Sequence, residues 1–276
     1  MVLRHNLAIA EAIREGDLKG LSASELKNLY IGFRTIGLAI DEPVHRVFQL
    51  EHAVDDISAG VLTHVRLLPA TWGDAQENPL LQKTFTDDFT GQPVSMASLV
   101  DDFYALCWTT NQHESREEWQ SFSHNKPAVR LSSTPRLLLE RLMHEADPFF
   151  MLRHTVGRVT YESSVEIAEW IANADWIELL DSQGQNLATS AMILQDCFES
   201  EDEVRLLYSL LKNDSSDWVR NYVHVTDRFC LLPFAWKGAI NGAVLGPGVS
   251  GTEAAWFSDA LARCGMQCRP TRSVIT

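Results

Sequence analysis

Glu199-Ser200-Glu201-Asp202-Glu203-Val204-Arg205-Leu206-Leu207-Tyr208 sets four carboxylates within five positions and then runs straight into apolar residues. A solvated acidic run usually continues into more polar chain, so this junction reads as the start of a buried strand. Side chains alternate between the two faces of a strand. Glu201, Glu203 and Arg205 then share one face, and Asp202, Val204 and Leu206 share the other. A strand delivering Glu-x-Glu to a cleft is a catalytic layout; the plainer alternative is an exposed turn leading into an ordinary strand.

The rest of the chain fits one α+β domain. It has 276 residues, 45% hydrophobic and 22% charged, enough for a sizeable core. The formal net charge of −14 opposes broad non-specific binding to nucleic acid, which depends on neutralising phosphates with Lys and Arg. A local basic pocket remains compatible with it. The five cysteines are Cys107, Cys197, Cys230, Cys264 and Cys268. They lack the paired spacing of a structural zinc site and read as buried thiols of a reduced, cytoplasmic protein. No signal peptide, membrane span or metal is expected.

Residues 5–16 and 22–33 read as amphipathic helices, the second capped by Ser22 or Ser24. Residues 1–40 are thus expected as a helical lead-in packed on a main domain over 41–276. Val44-His45-Arg46-Val47-Phe48 reads as a strand, 49–59 as a helix closed by Gly60, and 61–67 as a strand. Residues 69–79 form a loop carrying Trp72, Asp74 and Glu77, and 80–98 continue as loop. Residues 99–106 look helical or mixed, with Cys107-Trp108-Thr109-Thr110 as a strand end. Further helices are expected near 114–122, 133–145, 165–172, 187–198 and 251–263. Strands are expected at 128–131, 156–161, 203–209, 222–226, 243–245 and 266–274. Without a strict βαβ rhythm, this order predicts a mixed or antiparallel sheet flanked by helices.

Several of these segments occur together in one order: Val44-His45-Arg46, Pro69–Asn78, Cys107-Trp108-Thr109-Thr110, Glu118-Trp119, Val129–Thr134, Val156–Tyr161 and Phe198–Arg205. As a set, from about residue 43 to Arg272-Ser273, they resemble a widespread bacterial domain of unknown function, the "DUF twenty-nine seventy-one" family. The chain departs from that pattern in three places. His45-Arg46 stands where Tyr-Arg is common, Asp74-Ala75-Gln76-Glu77 where Asp-Pro-Phe-Glu is common, and Gln195-Asp196 where a basic pair is common.

A second resemblance is to ADP-ribosyltransferases, which use an early-strand Arg or His, a middle Ser/Thr strand and a late Glu. It implies NAD as substrate, Glu203, Glu201 and Arg46 as catalytic residues, and a toxin or defence setting. His45, Thr109, Thr110, Trp72, Trp119 and Arg205 would bind the dinucleotide, with a protein or nucleic acid as acceptor. A guanidinium holds a pyrophosphate by forked hydrogen bonds, a carboxylate supports an oxocarbenium-like state, and a tryptophan stacks on a flat ring. Two alternatives stand beside it. One is a non-catalytic ligand-sensing module in which Arg46, Glu203 and Arg205 form a buried ion-pair network. The other is a metal-dependent phosphodiesterase using Asp74, Glu77, Glu201 and Glu203.

Overall fold

A computed structural model describes residues 20–87, 89–181, 184–210 and 216–275. The helix expected over 5–16 lies outside the described residues. In chain order the strands are β1 Thr35–Ile36, β2 Val44–Gln49, β3 Val61–Arg66, β4 Thr84–Thr86, β5 Pro93–Ser95, β6 Phe103–Thr109, β7 Ala128–Ser133 and β8 His154–Arg158. They continue with β9 Thr160–Glu162, β10 Ile193–Gln195, β11 Glu203–Ser209, β12 His224–Val225, β13 Phe229–Pro233, β14 Gly242–Leu245 and β15 Thr271–Arg272.

One 11-stranded sheet dominates, and β6 is its pivot. One edge of β6 pairs with β11 along its whole length, from Glu203 opposite Thr109 to Ser209 opposite Phe103. The other edge pairs with β2 only at His45 opposite Thr109, and with β3 at Val65 opposite Ala105 and Arg66 opposite Tyr104. The sheet therefore forks, leaving 106–108 without a strand partner on that edge. One arm runs β2–β7–β14–β15, and the other runs β3–β13–β12. Beyond β11 the sheet continues through β8 to β1. Among its described strands only β1–β8 and β14–β15 pair in parallel, so the mixed, mostly antiparallel α+β architecture is the one the element order implies.

Local sequence explains the flanking helices. In Leu50–Ala59 the buried Leu50, Ala53, Val54 and Ile57 recur at helical spacing, and Gly60 ends the helix at φ 67°, where a Cβ would be strained. Gly251–Arg263 starts at a capping box between Ser250 and Glu253 and buries Phe257, Ala260 and Leu261. Both helices join the largest core cluster, which covers the sheet face carrying Val44, Phe48, Leu106, Trp108, Val204 and Leu206.

The opposite face is divided. Phe103, Ala105 and Leu207 belong to one apolar cluster, while Val47 and Ala128 belong to another built around Trp119. Between them the strand registers place Glu203, Arg205, Cys107, Thr109, His45, Ser132 and Arg130 on the same face. A polar seam thus separates two apolar clusters.

Several expected elements differ. Residues 99–106 are not helical throughout: a short helix, Ala97–Val100, precedes the seven-residue β6. Residues 80–98 contain the hairpin β4–β5, and 187–198 divide into the end of helix Gln185–Ser190, β10 and the 3-10 helix Asp196–Glu201. The strand expected at 222–226 is the end of helix Asp217–Tyr222 followed by β12. The last strand shortens to β15. Helix Ala23–Phe33, capped by Ser22, is followed by β1, so the expected lead-in adds a strand to the sheet. Among the described residues no helix is long and apolar enough to cross a membrane.

Candidate active site

The seam meets the fork at one end of β11. Glu203, Thr109, His45 and Ser132 stand directly opposite one another on β11, β6, β2 and β7, a single row across four strands. Tertiary register places these residues together from distant parts of the sequence.

Glu203 is 4% exposed and is fixed from several sides. Its Oε1 accepts from Arg205 Nε at 2.8 Å, and its backbone N–H donates to the Tyr161 hydroxyl at 2.8 Å. Arg205, 1% exposed, also makes a fork-to-fork pair with Glu77, Nη1 to Oε1 at 2.6 Å and Nη2 to Oε2 at 2.8 Å. Its Nη1 donates to the Ala191 carbonyl at 2.6 Å. Burial alone would lower the pKa of this guanidinium, but Glu203 and Glu77 hold it well above its ordinary value. Cys107, opposite Arg205, has its thiol pushed up by burial and then by Glu203.

Arg46 corrects the expected ion-pair network. Strand parity puts it on the other face from His45, beside Phe48, with its guanidinium carbon 4.8 Å from that ring. Its Nη1 donates across the fork to the Cys107 carbonyl, which has no strand partner there. The cation bonded to Glu203 is Arg205. Arg46 remains near enough to feel Glu203, and burial lowers its pKa. Its Nε is buried and unpartnered.

Glu201 does not share the strand face with Glu203. It ends the 3-10 helix Asp196–Glu201, and Asp202 then turns the chain at φ 44° before β11 begins. This left-handed residue breaks the alternation that the sequence suggested. Glu201 still lies at the mouth of the seam, its carboxyl pKa raised by burial and then by Glu203. Asp202 is ion-paired: Arg158 Nη1 binds its Oδ1 at 2.6 Å.

The threonines are used internally. Thr109 donates to the Glu201 carbonyl at 3.0 Å, and Thr110 donates to Asp202 while accepting from Arg158 at 3.0 Å. They fasten the turn that presents the acidic residues. Trp119, 4% exposed, packs with Val47 and Ala128, so its ring is not open for stacking. Trp72 donates to the Arg66 carbonyl at 2.9 Å and lies 5.6 Å from the Arg205 guanidinium.

His45 is chemically distinct. Its Nδ1 lies 2.8 Å from Ser132 Oγ, while Nε2 is buried without a partner. Burial, then the charge of Arg130, lowers its pKa to about 4, so the ring is neutral near neutral pH. His45, Arg46, Thr109, Glu118, Phe122, Glu201 and Glu203 line a narrow crevice at the mouth of the fork. Two buried polar atoms without a protein partner, His45 Nε2 and Arg46 Nε, belong to residues lining this one small crevice.

Sequence reading missed Glu77 as a counter-ion, Tyr161 as a prop for Glu203, and Glu118 with Arg130. The only advance signals were Glu77 within the Asp74–Glu77 motif and Arg130 within an apolar run. Three of the four carboxylates weighed for a metal are otherwise engaged: Asp74 Oδ1 accepts from Gln195, and Glu77 and Glu203 converge on a guanidinium. Among the described residues no group of three or more His, Cys, Asp or Glu is placed to hold a metal ion. Cys197 is exposed and only Cys230 is fully buried, contrary to a uniformly buried set.

No protein-family model matches the chain, so the resemblance to the domain of unknown function finds no support there. No curated protein matches it either. Among solved structures it is similar to "Thermus sp. 2.9 DarT in complex with NAD+", at TM-score 0.36 and 9% identity, covering 85% of this chain and 96% of that one. It is also similar to the same protein "in complex with ADP-ribosylated ssDNA", at TM-score 0.37 and 11% identity, covering 87% and 97%. NAD+ and the modified strand are DarT's ligands.

Proposed function

We propose that this chain is an NAD-consuming enzyme of the ADP-ribosyltransferase type, with the dinucleotide bound at the fork. The row Glu203–Thr109–His45, flanked by Arg46 and its buried unpartnered Nε, is the observation that carries the reading. Arg46 supplies a fixed cation for the pyrophosphate. The neutral His45 offers Nε2 to a ribose hydroxyl. Glu203, oriented by Arg205, holds negative charge beside the developing oxocarbenium.

In the reaction the glycosidic C–N bond breaks, and its electron pair leaves with nicotinamide. A lone pair on a protein or nucleic-acid acceptor forms the new bond to C1′. Its proton passes to Glu201, whose carboxylate lines the same crevice as Glu203 and has no other side-chain role in the fold described above.

The burial of Glu203 and its bond to Arg205 favour a second reading, a non-catalytic ligand-sensing module in which the ion-pair network is structural. Chromatography of nicotinamide released from NAD separates the two. The enzyme reading expects turnover by the native chain that Glu203→Gln abolishes while thermal unfolding stays cooperative. No release by the native chain, with every plausible acceptor supplied, would leave the module reading standing.

A further inference from the structure

Glu118 is a buried carboxylate that the roles above leave unused. It lies on helix Arg116–Ser123, whose N-cap Ser115 accepts from the Glu118 N–H at 2.9 Å. The helix is held by the neighbouring Trp119, whose ring is covered so closely by Gly246 that a Cβ there would lie 2.7 Å away. Glu118 and Phe122, four residues apart on one side of that helix, form a wall of the crevice facing the His45–Thr109–Glu203 row.

The Glu118 side chain is 9% exposed. Its Oε1 accepts from Arg130 Nε at 3.1 Å, while Oε2 is buried with no partner. A carboxylate oxygen only accepts hydrogen bonds. Because Arg130 already balances the charge, the missing group is a neutral donor rather than a second cation. Phe122, 36% exposed, also lines the crevice and offers an aromatic face that a flat ring can lie against once the crevice opens.

Resting on the NAD reading above, we propose that helix Arg116–Ser123 reads one planar ring of the dinucleotide. Glu118 Oε2 accepts from an exocyclic amino or amide N–H, and Phe122 covers the ring face. The two sources of that chemistry are the amino group of adenine and the carboxamide of nicotinamide. A keto oxygen or a carboxylate in the same place would set two acceptors against each other.

Calorimetric titration of the full chain tests this with NAD, its hypoxanthine analogue and its nicotinic-acid analogue. The expected result is that one analogue binds about ten-fold or more weakly than NAD, identifying the ring at Glu118. Glu118→Gln, whose amide can present its NH₂ to a keto oxygen, should bring that ratio to within about three-fold. The ratio is taken within one variant, so a general loss of stability does not mimic the effect. Phe122→Ala should weaken NAD and the discriminated analogue alike. Equal binding of all three ligands to the native chain, or discrimination intact in Glu118→Gln, overturns the inference while leaving the NAD reading in place. Absence of NAD binding to the native chain overturns both.

Discussion

Arg205→Met tests the buried charge network most sharply. Methionine approximates the length of the arginine stem, so the change removes the guanidinium with little loss of packing. What it leaves is Glu77 at 2% side-chain exposure and Glu203 at 5%, both stripped of the cation they share. Removing one partner of a buried ion pair costs about 3–5 kcal/mol, because the remaining charge cannot be resolvated. For a chain of this size that corresponds to a fall in melting temperature of roughly 6–20 °C. The loss should also depend on pH. With the cation gone, Glu77 and Glu203 repel and one takes up a proton above the unfolded carboxylate range. The folded variant then binds more protons than the unfolded chain, so the deficit against wild type shrinks as pH falls from about 7 toward 5. Guanidinium unfolding curves of both proteins across that range measure it. A loss under about 1 kcal/mol, or one that does not change with pH, would refute the network as described.

Two other outcomes are expected. In His64, fully buried, burial lowers the pKa from 6.5 to about 4. The unfolded chain therefore binds the extra proton first as pH falls through that window, and stability present above pH 6.5 declines by about 2 kcal/mol at pH 5; unfolding midpoints of His64→Leu should lose that share of the pH dependence, and an unchanged profile would contradict it. Gly246→Ala places a Cβ 2.7 Å from the Trp119 ring and 3.1 Å from the Ala128 carbonyl, so overpacking should cost about 1–3 kcal/mol, and an unchanged melting temperature would show that the helix carrying Glu118 is not held this way.

How far the sequence led is clearest around β11. Its span and the shared face of Glu203 and Arg205 were legible, because an alternating pattern enters a buried strand. Glu201 was misplaced because Asp202 adopts a left-handed turn at φ 44° that no periodicity announces. β6 was obscured for another reason: Phe103, Tyr104, Ala105 and Leu106 are buried on both faces of a central strand, and such a run lacks alternation. The pairing of Arg205 with Glu77, 128 residues away, depends on tertiary placement and leaves no local signature. The fork itself follows from β6 sharing one edge between β2 and β3, a register that local residue patterns do not encode. By contrast, Gly60 is a local device, and it marked its helix end correctly.

The most direct measurement is a crystal structure of the chain soaked with a non-hydrolysable NAD analogue. Binding at the fork predicts the dinucleotide in the crevice between β2 and β6, its pyrophosphate at Arg46 and its nicotinamide ribose beside Glu203. A dinucleotide seated elsewhere, or an empty crevice at saturating analogue, would contradict it.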